Sequence, residues 1–128
     1  MKRSILSLAL AAQVVAVPAM AATQDPTTLS YEDHTACAAM FFVLSDREAD
    51  AETAQAFEAA TGVMLNRAQT VPGGRGLSDD VVVESAVIKA TDIQTRIGGI
   101  ADANQQNAVI SGYGPGIQAC LDEVLTER

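Results

Sequence analysis

The sequence predicts an all-α protein, a small bundle of four to five helices clamped by one Cys37–Cys120 disulfide and preceded by a cleaved signal peptide. Three observations lead there. Beyond residue 29, apolar and small residues recur at three- and four-residue steps, the spacing of one face of a helix. Ser, Asp and Glu cluster where those runs begin, as helix N-termini require. Only two cysteines occur in 128 residues, one near each end of the patterned region.

The N-terminus reads as a transport signal. Met1-Lys2-Arg3 is a basic start, Ile5 to Val17 is an apolar run of thirteen residues, and Pro18-Ala19-Met20-Ala21 carries a small-x-small cleavage site at Ala19 and Ala21. The run is shorter than the roughly 18 apolar residues that span a bilayer and contains Gln13. Residues 1–21 are therefore expected to be removed on export to the bacterial periplasm or beyond, with no stable membrane insertion afterwards. Residues 22–29 are polar, contain Pro26, and read as a flexible leader; the bundle domain is expected over 30–128.

Removing the leader sharpens the composition. The remaining 107 residues hold 6 basic and 16 acidic side chains, a formal charge of −10, against −8 for the whole chain. That balance excludes nucleic acid and anionic membrane surfaces, which demand a basic footprint. Leu, Ile, Val and Phe make up 24 of the 107, so the core is expected to be small and rich in Ala.

Helix 1 is expected to start at Ser30, whose hydroxyl caps the N–H of Asp33, with positions 34, 37, 38, 41 and 44 on its inner stripe. Helix 2 is expected to start at the Ser45-x-x-Glu48 capping-box pattern and to run to about Gln69, its stripe being Ala54, Phe57, Thr61, Met64 and Ala68. Gly62 in its interior costs about 1 kcal/mol against Ala, and close packing on another helix would explain it. Val71 to Gly76 reads as an inter-helix loop, because a phosphate-binding Gly-rich loop needs a Lys and a spacing that are absent.

Ser78 caps the next helix, with Asp79 and Asp80 near its positive end and Leu77 placed to staple Val82. Val82, Ala86, Ala90, Ile93, Ile97 and Ile100 hold the helical phase for about five turns, with Gly98-Gly99 as the fraying point. In the last segment the phase continues through Gly112-Tyr113-Gly114-Pro115-Gly116. Two structures fit, a helix kinked at Pro115 or two helices broken near Gly114 with Pro115 in the first turn of the second, and the break is favoured.

Export to an oxidising compartment makes a disulfide the expected state of Cys37 and Cys120. It closes a loop of 84 residues, worth roughly 4–5 kcal/mol in the chain-entropy model. Free or intermolecular thiols, and a metal or redox role, are the alternatives; two Cys with one His fall short of four metal ligands, and no Cys-x-x-Cys occurs.

Reactive groups are scarce. His34 is the one histidine, a turn before Cys37. Haem held between His34 and Met40 or Met64 is a minor alternative. The carboxylates Asp46/Glu48 and Asp50/Glu52 read as a solvated acidic face. No catalytic residue, cofactor or metal is assigned. The expectation is a non-enzymatic binding or interaction protein of the envelope, its partner an unknown protein or small ligand; an enzyme using His34 is the remote alternative. In plan (small, exported, helical, one long-range disulfide) the chain also resembles the acid-activated periplasmic chaperones, although its segment between the cysteines is longer. That resemblance implies activation in acid, where the chain would move from −10 to about +7, and it carries over no residues.

Overall fold

The structure, a computed structural model, describes residues 29–126. The signal segment 1–21 with Ala19 and Ala21, and leader residues 22–28, lie outside the described residues. Within them are five helices and no strand: α1 (Tyr31–Arg47), α2 (Ala51–Ala68), α3 (Asp79–Gly98), α4 (Ala103–Ser111) and α5 (Ile117–Leu125).

Helix α1 is the axis of the fold. Its N-cap is Ser30, which accepts from Asp33 N while the Asp33 carboxylate accepts from Ser30 N, a reciprocal box that satisfies two orphan donors. The expected stripe understates its burial. Every residue from His34 to Phe41 is buried, as is Val43. A helix flanked on all sides must be apolar or small all round, and Ala36, Ala38 and Ala39 let neighbours approach from several directions. Thr35 survives there because its hydroxyl is satisfied by Tyr31 O and Glu32 O, both at 3.1 Å. Leu29, assigned to the leader on sequence grounds, packs into the core instead.

The α1–α2 junction corrects the sequence expectation. Ser45 does not cap α2; α1 continues through it to Arg47, and its hydroxyl donates to Ala54 O at 3.1 Å. Asp50 is the N-cap of α2, accepting from both Thr53 N and Thr53 Oγ1. Phe41 and Phe57 then stack across the hairpin with centroids 6.2 Å apart. Met40, Phe41, Met64, Ile93 and Ile110 are fully buried, each worth about 1.5–3 kcal/mol relative to exposure.

Helix α3 matches its expected start and its stripe as far as Ile97, while Ile100, expected on that stripe, lies beyond the end of the helix. Ser78 caps Val81 N, and Val82, Ala86, Ala90, Ile93 and Ile97 are its buried residues. The preceding turns wrap Tyr31, whose hydroxyl lies 2.8 Å from Ser85 Oγ. Gly74 is fixed by this packing, since a Cβ there would overlap Ala68 O and come within 2.7 Å of the Tyr31 ring. The helix ends at Gly98 with Gly99 as C-cap.

The last segment breaks rather than kinks. α4 stops at Ser111, residues 112–116 turn, and α5 begins after Gly116 at φ 96°, a left-handed conformation that suits glycine. Pro115 therefore lies just outside α5, not in its first turn. Cys37 and Cys120 are bonded with Cα atoms 5.5 Å apart and both are fully buried, which joins α1 to α5.

Candidate functional site

Two places in the fold gather functional chemistry: a buried charged cluster beside the disulfide, and an open apolar groove.

The cluster follows from the disulfide's register. One turn before Cys37 stands His34; one turn after Cys120 stands Glu123. Stepping back on α1 matches stepping forward on α5, so the helices run antiparallel where they meet. His34 Nδ1 lies 2.9 Å from Ser30 O. A carbonyl only accepts, so Nδ1 carries a proton and donates. His34 Nε2 lies 3.5 Å from Glu123 Oε2, and Arg67 Nη1 of α2 lies 2.9 Å from the same oxygen. Arg67 also donates to Glu123 O. Glu123 Oε1 is buried with no hydrogen-bond partner among the described residues. The cluster ties α1, α2 and α5 together. With His34 only 1% exposed, its imidazole has no open face toward a substrate. Met40 and Met64 are likewise enclosed in the core. Among the described residues no group of three or more His, Cys, Asp or Glu is arranged to hold a metal ion.

Polar ties elsewhere brace the second half of the bundle. Tyr113 donates to Asp92 Oδ2 at 3.1 Å, Arg96 pairs with Asp92 at 3.1 Å, and the Arg96 guanidinium sits 5.5 Å from the centre of the Tyr113 ring. The hydrogen bond from Arg96, then that from Tyr113, hold the Asp92 carboxyl below its ordinary pKa. Burial, then the neighbouring Asp92 carboxylate, push the Tyr113 phenol above its own. At Asp50 the backbone N–H of Thr53, then the Thr53 hydroxyl, lower the pKa in the same manner. Asp46, Glu48, Asp50 and Glu52 are all exposed.

The groove lies where α1, α2 and α3 fail to close. Ala38 and Ala39 of α1 and Ala86 and Ala90 of α3 form its floor, with Phe42, Leu65, Val83 and Val87 along the sides, around a cavity of about 140 Å³. The small residues let α1 and α3 approach closely, while α2 and α3 touch each other only lightly. Phe42 is 50% exposed and Val87 54%. The one hydroxyl in the lining, that of Thr61, donates to Phe57 O at 2.9 Å and so turns its hydrogen-bonding group to its own helix. Leu65 and Val83 also border a second cavity of about 260 Å³, which extends the trough past Gly62 to Asn66 and Asp79.

Close packing on another helix does not explain Gly62. A Cβ at this position would meet nothing within 4 Å. The fold gains nothing from a residue that costs about 1 kcal/mol in a helix, but the absent side chain keeps this end of the trough open.

Sequence reasoning put His34 and both cysteines on the inner side, where they are. It assigned no role to Glu123 or Arg67. The heptad-like step was available: with Cys120 facing inward, Glu123 three residues later shares its face. The groove was not legible, because no sequence pattern separates a valine that packs from one left at a gap.

No protein-family model, curated protein or solved structure matches this chain. Among the described residues, fold and site define a five-helix, disulfide-closed bundle with an open apolar groove. No helix among the described residues is long and apolar enough to cross a membrane.

Proposed function

We propose that this chain is an exported, non-enzymatic binding protein of the bacterial envelope whose binding face is the α1–α2–α3 groove. The observation that carries the reading is the exposure of Phe42, Val83 and Val87 around an apolar cavity, next to a glycine that keeps the trough open. Apolar concavities with few polar groups are the common form of ligand and peptide sites. Support for export comes from the basic, apolar and Ala-x-Ala-like order of residues 1–21, and a buried disulfide accords with an oxidising destination.

A photo-crosslinking side chain placed at Val87 should capture a reproducible partner in the envelope, while one at Gln118, exposed on α5, should not. Equal capture from both positions, or none from Val87, overturns the groove as the binding face. Export is tested by the mass of the envelope form, expected to begin at Ala22.

A second reading, an acid-activated chaperone, is favoured by Glu123. Its carboxylate joins three helices, through His34 of α1 and Arg67 of α2, while the disulfide separately holds α5 to α1. The test is suppression of client aggregation at about pH 2–3; inactivity there removes this reading.

A further inference from the structure

We infer that the partner of the groove is a cationic amphipathic helix from another protein, a conclusion that rests on the reading of the groove as the binding face. The argument is one of charge and shape. Four exposed carboxylates fringe the trough: Asp46 lies one turn beyond Phe42, Glu58 one turn before Gly62, Asp80 one turn before Val83 and Glu84 one turn before Val87. None of the four has an ion-pair or hydrogen-bond partner among the described residues.

None of the cations among the described residues is paired with these four carboxylates. The described residues contain 14 acidic and 5 basic side chains. Lys89 holds Glu32 at 2.7 Å, Arg67 holds Glu123, Arg96 holds Asp92, Arg47 donates to Gln106 and Arg75 to Thr70 O. An apolar trough between uncompensated carboxylates thus matches a ligand with an apolar stripe flanked by Lys or Arg. A second copy of this chain would set acid against acid, as would an anionic vesicle surface. The trough walls are helices, and from Asp79 to Ala90 it follows α3 for about 16 Å, some three turns of a docked helix. A helix laid into such a groove presents residues at i, i+3 or i+4, and i+7.

Three peptides of about 18 residues test this, sharing one Leu pattern at those spacings and carrying Lys, Gln or Glu elsewhere. Each is titrated into the purified disulfide-bonded protein and followed by backbone amide chemical shifts. The Lys peptide is expected to move Phe42, Leu65, Val83 and Val87, to bind about tenfold more tightly than the Gln peptide, and to weaken with added salt. The Glu peptide should not bind. A Glu58→Lys, Glu84→Lys double variant should reverse the order of the Lys and Glu peptides. Equal binding of the Lys and Gln peptides at the groove overturns the charge inference and leaves the groove reading standing. If no peptide moves groove residues, both fall. Dimerisation through the groove, seen by sedimentation, or equal affinity for anionic vesicles overturns the inference in favour of those occupants.

Discussion

His34 Nε2 stands 3.5 Å from Glu123 Oε2 one helical turn from the Cys37–Cys120 bond, so the covalent tie and this polar contact between α1 and α5 occupy successive turns of the same seam. Arg67 brings α2 into this arrangement through the same carboxylate oxygen. The thin, Ala-rich core is thus supplemented where α5 meets α1.

Glu123→Gln should destabilise the protein by about 1–3 kcal/mol, because Arg67 and His34 lose the carboxylate they share in a largely buried site. Urea unfolding of the oxidised protein measures it. A loss below about 0.5 kcal/mol would mean that the carboxylate is dispensable.

Cys37→Ala with Cys120→Ala should lower stability by up to about 4–5 kcal/mol, the chain-entropy value for so long a loop. Reductant on the unmodified protein should reproduce most of the shift in thermal midpoint. An unchanged midpoint would remove the clamp from the account of stability.

The pH dependence has a defined sign at three groups. Asp50 and Asp92 have lowered folded pKa values, so the stability they contribute is present above the ordinary carboxylate value and is lost as pH falls through the lowered ones. Tyr113 is raised; its contribution is present below the ordinary phenol value and is lost as pH climbs through the raised one. Denaturant midpoints of Asp92→Asn and Tyr113→Phe should therefore depend less on pH than the parent's, at the acid end and the alkaline end respectively. Parallel profiles would contradict the assignment.

Two glycines should respond with opposite signs. Gly62→Ala meets open space in a helix interior and should stabilise by about 0.5–1 kcal/mol. Gly74→Ala must displace both the Ala68 carbonyl and the Tyr31 ring and should cost about 2 kcal/mol or more. Thermal unfolding of both variants checks the pair.

How far the fold could be read in advance depended on whether local chemistry and tertiary demand agreed. At α3 they agree: Ser78, the following acids and the Val82-to-Ile97 stripe define one helix in sequence and in structure. At residues 45–50 they compete. Ser45 and Glu48 satisfy a capping pattern, but continuation of α1 lets Ser45 bond Ala54 O, and Asp50 caps α2 instead. Near Pro115 the helical phase runs unbroken through a segment whose glycines turn the chain. The His34–Glu123 contact needed the pairing of the cysteines before its register could be drawn. The groove needed all three helices in place, since it is defined by where they do not meet.

The most direct test of the groove as the binding face is Gly62→Leu, which adds a side chain to the open end of the trough at a position where an added Cβ meets nothing within 4 Å. Unfolding free energy and affinity for the Lys-bearing amphipathic peptide are measured on the same preparation. The expected result is stability equal to or above the parent's, with binding weakened at least about tenfold. A folded Gly62→Leu protein that binds the peptide with unchanged affinity would contradict the groove as the functional face.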